Sequence, residues 1–116
     1  MSGSTLPLLP GTLDVLVLAA LEGEVRHGYD VAEWIRVRSG DTLQIDDGAL
    51  YTSLHRLEKQ GLLGAEWGMS ESKRRAKYYH LTRDGIRRLE EETRSWGRYA
   101  AAVFRVLGTS FETGGA

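Results

Sequence analysis

Residues 47–85 impose an order that few folds accommodate. Asp46 or Asp47 can cap a helix, and Leu50, Leu54 and Leu57 then recur at i, i+4 and i+7, the stripe of one helical face. Gly61 closes that helix. Leu63, Ala65 and Trp67 alternate with Gly64, Glu66 and Gly68, as in a half-buried strand. Residues 69–75 (MSESKRR) form a polar turn, residues 76–81 (AKYYHL) return as a second strand, and Thr82 caps a new helix. Helix, strand, basic tip, strand and helix is the order of a helix-turn-helix that carries a β-hairpin wing. The expected class is therefore mainly α (α+β): a winged helix-turn-helix with a two-stranded wing and a long C-terminal dimerisation helix.

The flanking segments fit that frame. Residues 1–11 (MSGSTLPLLPG) read as a flexible lead-in, with a turn at Pro10-Gly11 and Thr12 as a possible N-cap. Residues 13–22 form a first helix that is apolar nearly all round, so it should be enclosed on several sides. In a domain this small, such enclosure calls for a partner subunit. His27-Gly28-Tyr29-Asp30 opens a second helix that stops near Ser39-Gly40. The expected division is a lead-in over 1–11, a DNA-binding domain over 12–82, a dimerisation helix over 83–107 and a frayed tail over 108–116.

Charge sharpens the reading. The 116 residues carry a net charge of −1, which taken alone argues against a polyanionic partner. The distribution of that charge argues the other way. Residues 1–50 hold 3 basic and 8 acidic side chains, residues 51–88 hold 9 and 4, and residues 89–116 hold 3 and 4. The middle third is a cationic surface on an otherwise acidic chain. Local charge governs phosphate attraction, because screening acts over roughly 8–10 Å. No cysteine is present, so there is no disulfide frame and no Cys-based metal site. The apolar run at 13–21 falls short of the roughly 18 residues a membrane span needs. A cytoplasmic protein without cofactor or metal is expected.

The phase of the third helix turns Ala49, Tyr51, Thr52, His55, Arg56 and Lys59 wholly or partly outward. Small residues at its first turn permit close approach to a major groove. Thr52 and Tyr51 can bond a base or phosphate, and Arg56 can be bidentate to guanine or grip phosphate. Lys59, at the far end, suits the backbone. An outward polar face alone is an ordinary solvated surface. The hairpin that follows changes this, since Lys73, Arg74, Arg75 and Lys77 crowd four positive charges into five residues. A wing of that kind supplies affinity and salt dependence more than sequence choice. Tyr78 and Tyr79 must point to opposite faces of their strand, and Trp67 is expected to pack against one of them.

Ile86, Leu89, Thr93, Trp96, Ala100, Val103 and Leu107 follow alternating spacings of 3 and 4, an a/d seam. A helix of about 25 residues runs about 37 Å, too long for a small winged helix to cover. The seam predicts a homodimer, packed also against the first helix through residues such as Val15 and Leu18; the alternative is a seam closed within the chain against its own body. Two-fold symmetry would place two reading helices about one DNA turn apart on an inverted-repeat operator in double-stranded DNA. Trp96 stands among small neighbours. Either it fills the dimer core, or paired indoles line a gap that suits a planar aromatic or other small hydrophobic effector.

These segments resemble the PadR family of bacterial transcriptional regulators over roughly residues 8–107. The resemblance rests on LPGTLDVLVLAAL, HGYDVAEWI, GALYTSLHRLEKQGLL and EWGMSESKRRAKYYHLT. It implies a winged helix with a C-terminal dimerisation helix, and a repressor that leaves its operator on an effector or stress signal. One C-terminal helix is similar to the shorter subfamily. SWGRYAAAVFRVL resembles the same helix in multidrug-sensing members, where a Trp from each subunit sandwiches a planar drug; Trp96 stands at the matching position. Two departures matter. Thr52 replaces a common Pro, and Ala100, Ala101 and Ala102 make the helix after Trp96 unusually small-sided.

Other classes find little support. His27, His55 and His80 lie on three different elements without metal-ligand spacing, and no nucleophile motif or phosphate loop occurs, so no enzyme is expected. Glu90-Glu91-Glu92 solvates the outer face of the last helix. The serious rival is a winged helix that serves only protein partners, and the cationic middle third argues against it.

Overall fold

A computed structural model describes residues 6–109. Its elements run α1 (Thr12–Ala20), β1 (Arg26–His27), α2 (Gly28–Arg38), α3 (Asp47–Lys59), β2 (Leu63–Met69), β3 (Arg75–Leu81) and α4 (Arg83–Leu107). The mixed α+β architecture is the expected one, with one addition: the sheet has three strands, in the order β1-β3-β2. Short β1 pairs antiparallel with β3, Arg26 opposite Tyr79 and His27 opposite Tyr78. Two residues are too few to show alternation, so β1 left no periodic signal.

The core explains the chain's apolar pattern. Val17, Leu18, Ala20 and Leu21 from the first helix and its end meet Val31 and Ile35 of α2, Leu50, Leu54 and Leu57 of α3, and Tyr79 of β3. Helix α1 touches α2, α3 and α4 of its own chain. Intrachain packing buries Val17, Leu18 and Ala20, while Leu13, Val15, Leu16 and Ala19 are only partly covered by the chain's own core.

Capping follows the expected residues at α3 and α4, and His27 adds a side-chain cap at α2. His27, Asp46 and Thr82 each accept a backbone N–H three residues on. The start of α1 differs. Its N-cap is Gly11, at φ 84°, and Thr12 already lies inside the helix. A left-handed cap residue favours glycine, and the Pro10-Gly11 turn supplies one. Among the described residues the buried Thr12 hydroxyl has no hydrogen-bond partner.

Helix α4 is set on the body by Gly85. A Cβ there would stand 2.1 Å from the Leu62 carbonyl oxygen, so only glycine allows this approach. The lead-in is partly ordered: the Leu6 N–H donates to the Thr42 carbonyl at 2.7 Å, and Leu6 bridges Leu43. The rest of the expected lead-in and frayed tail, residues 1–5 and 110–116, lies outside the described residues.

Candidate nucleic-acid interface

Asp46 fixes the first turn of α3, its carboxylate accepting the Ala49 N–H at 3.0 Å. With Leu50, Ser53, Leu54 and Leu57 buried, Ala49, Tyr51, Thr52, His55, Arg56 and Lys59 are all exposed. Tyr51 lays its ring on the start of α2. A Cβ at Gly28 would come within 2.6 Å of the ring, so this glycine permits the contact.

Arg56 is exposed yet engaged. Its Nη2 lies 2.5 Å from Oδ1 of Asp14 on α1. The Ser53 hydroxyl donates to the same oxygen at 2.6 Å. Asp14 carries no functional signal in the sequence. Its partners lie 39 and 42 residues away, a separation that no local pattern reveals.

The wing is a regular antiparallel ribbon from Leu63↔Leu81 to Met69↔Arg75. Its tip is closed by the Ser70 N–H donating to the Arg74 carbonyl at 2.8 Å and the Lys73 N–H to the Ser70 carbonyl at 2.9 Å. Lys73 sits at φ 63°. Lys73 and Arg74 make no ion pair among the described residues. The other two cations are held. Arg75 stacks 4.4 Å over the Trp67 ring. Lys77 donates to Glu58 at 2.9 Å, tying the wing to the last turn of α3. That hydrogen bond holds the Lys77 ammonium above the usual lysine range. Burial pushes the neighbouring Tyr79 phenol up as well.

Tyr78 and Tyr79 do point to opposite faces. Tyr79 is core, and Tyr78 meets the His27 ring edge-on at 5.5 Å. Trp67 does not pack against either ring as expected: it is 58% exposed beneath Arg75. Its cross-strand partner is Lys77, and its position near the wing tip lies beyond the reach of the core.

One open groove of about 1010 Å³ joins the parts. His27, Tyr29, Tyr51, Trp67, Arg74 and Arg75 are among its lining residues. Tyr51 of α3 and Arg74, Arg75 and Lys77 of the wing thus face a common space, to which the start of α2 adds His27 and Tyr29. Ala49, Thr52, His55, Lys59 and Lys73 lie outside its lining. The signal for His27 and Tyr29 is present in the HGY stretch, where sequence reasoning sees only a helix start.

The seam of α4 divides in two. Leu89 is buried against its own chain, as is Leu18 of α1. Neither is available to a partner, which corrects their assignment to the dimer contact; both belong to the chain's own buried core. Val15 is packed partly against the same core. Ile86, Thr93, Val103 and Leu107 are exposed, and Ala100 is half-buried. Exposed Tyr99 and Val106 extend the apolar face beyond the expected seam. Trp96, half-buried, meets Tyr99 edge-on at 5.8 Å and borders a shallow groove with Pro10, Gly11 and Glu92.

Among the described residues no group of acidic, His or Cys side chains could hold a metal ion, and no helix is long and apolar enough to cross a membrane.

The model of the transcriptional regulator PadR-like family matches residues 17–91, from the second half of α1 to the first turns of α4. The chain belongs to that family. It is thereby a transcriptional regulator and not an enzyme. A PadR family regulator from Eggerthella lenta is 37% identical and superposes with a TM-score of 0.72 over 86% of this chain and 85% of the other. An uncharacterised protein of Lysinibacillus sphaericus is 30% identical, the match covering 77% of this chain and 82% of that protein. Bacillus subtilis PadR, solved in complex with operator DNA, shares the fold at 22% identity and a TM-score of 0.64, covering 71% of this chain and 47% of the other.

Proposed function

We propose that this PadR-like regulator represses transcription in the cytoplasm by binding an inverted-repeat operator as a homodimer. The observation that carries the reading is the shared groove: Tyr51 of α3 and Arg74, Arg75 and Lys77 of the wing line one space on an otherwise acidic chain. In this reading Ala49, Tyr51, Thr52 and His55 meet base edges in the major groove. Lys59, Lys73 and Arg74 meet phosphate, and Arg75 and Lys77 shape the wing. Arg56 leaves the contacting set, because Asp14 already holds it. That a protein of the same fold, Bacillus subtilis PadR, is solved with operator DNA supports DNA as the partner. The uncovered apolar half of α4 supports pairing between two copies.

The test is binding of the purified protein to labelled DNA from upstream of its own gene, with an unrelated duplex of equal length as competitor. Preference that survives the competitor supports the reading. Binding equal on every duplex tried, including a genomic fragment library, would favour a module for protein partners.

Effector control belongs to the same proposal. Trp96, Tyr99 and the Pro10-Gly11 turn border a groove open to a planar aromatic compound. Such a compound is expected to quench tryptophan emission and weaken operator binding. Trp96→Ala should abolish both effects, and undiminished quenching in that variant would place the compound elsewhere.

A further inference from the structure

We propose that Asp14 is a positioning residue for DNA recognition: it sets the rotation of α3 and withholds Arg56 from the duplex. The proposal rests on the DNA-binding reading above. One carboxylate oxygen of Asp14 accepts from Ser53 at 2.6 Å and from Arg56 at 2.5 Å. The two donors sit three residues apart, on adjacent turns of the reading helix, so a single acceptor on α1 fixes the helix about its own axis. Ser53 is 1% exposed, and its hydroxyl needs this partner inside the core. The ion pair itself lies at the surface, with side-chain exposures of 47% for Arg56 and 33% for Asp14.

Arg56 follows Thr52 by one helical turn and shares its face. Released, it would add one cation beside the phosphates. That contact would strengthen all duplexes alike, since phosphate carries no sequence information. By retaining Arg56, Asp14 lowers binding to unrelated DNA and so raises discrimination. The rotation it imposes on α3 acts in the same direction, because base contacts require the helix in one orientation.

Asp14→Asn keeps an oxygen acceptor for Ser53 and removes the charge that holds Arg56. The expected result is tighter binding to an unrelated duplex at low salt and a smaller operator preference. The plot of log affinity against log salt should steepen by about 0.9, the increment of one added phosphate contact. Arg56→Ala in the parent should leave that slope unchanged, and the double variant should return Asp14→Asn to it. Two results would overturn the proposal. The first is an Asp14→Asn protein with lower thermal stability and weaker binding to every duplex but the parental slope. The second is an Arg56→Ala protein whose slope falls by about 0.9, which would show Arg56 already on phosphate. The Arg56→Ala arm decides even if Asp14→Asn fails to fold. A parent protein that binds no duplex would instead remove the DNA-binding reading itself, and this proposal with it.

Discussion

Joint replacement of Lys73 and Arg74 by Ser is expected to weaken binding to every duplex by on the order of a hundredfold at low salt. Hydrogen bonds to charged groups are worth about 1.5–3 kcal/mol, or roughly tenfold or more each. Two lost phosphate contacts should also flatten the salt slope by about 1.8, because each contributes about 0.9. Operator preference should survive, since the tip reads no base. The geometry makes this pair the right choice. Arg75 and Lys77 are engaged with Trp67 and Glu58, so their removal would disturb the wing as well as its charge. Lys73 and Arg74 end at an exposed turn held by backbone bonds, where a side-chain change leaves the ribbon intact. A salt titration by fluorescence anisotropy checks the result. An unchanged slope would mean the wing tip does not meet the DNA backbone.

The largest effect on stability is expected at Leu54. Its side chain is wholly buried where α3 meets the core built by α1 and α2. Leu54→Ala removes buried methyl groups and leaves a cavity, at a cost of about 2–5 kcal/mol. A domain of this size has a total stability of about 5–15 kcal/mol. The midpoint of thermal unfolding should therefore fall by on the order of 10 °C or more. Calorimetry or far-UV circular dichroism reads it directly. A shift of a degree or two would mean that the core collapses around the gap.

Helix α3 was legible because its signal is local. Leu50, Leu54 and Leu57 name the inner face, and the same phase names every exposed residue opposite. The wing was legible for the same reason, through alternation broken by a polar tip. What escaped depends on distance or on single dihedrals. Gly11 displaced Thr12 as the α1 cap because one left-handed residue leaves no repeat to detect. Strand β1 exists only because β3 offers it an edge. The Asp14 contacts join the first turn of one helix to the middle of another, and the seam of α4 could not show which of its residues the chain's own core would claim. Leu18 and Leu89 went inward; Val103 and Leu107 stayed out.

The three indoles end up in three different settings. Trp34 on α2 carries the guanidinium groups of Arg26 and Arg38 over its ring, at 5.7 and 5.3 Å. Trp67 rides on the wing beneath Arg75, and Trp96 meets Tyr99 on α4. The molecule thus carries a separate optical probe in each of its working parts. Variants that retain one tryptophan at a time would resolve melting of the body, arrival of a duplex at the wing, and events along the last helix as three distinct emission changes.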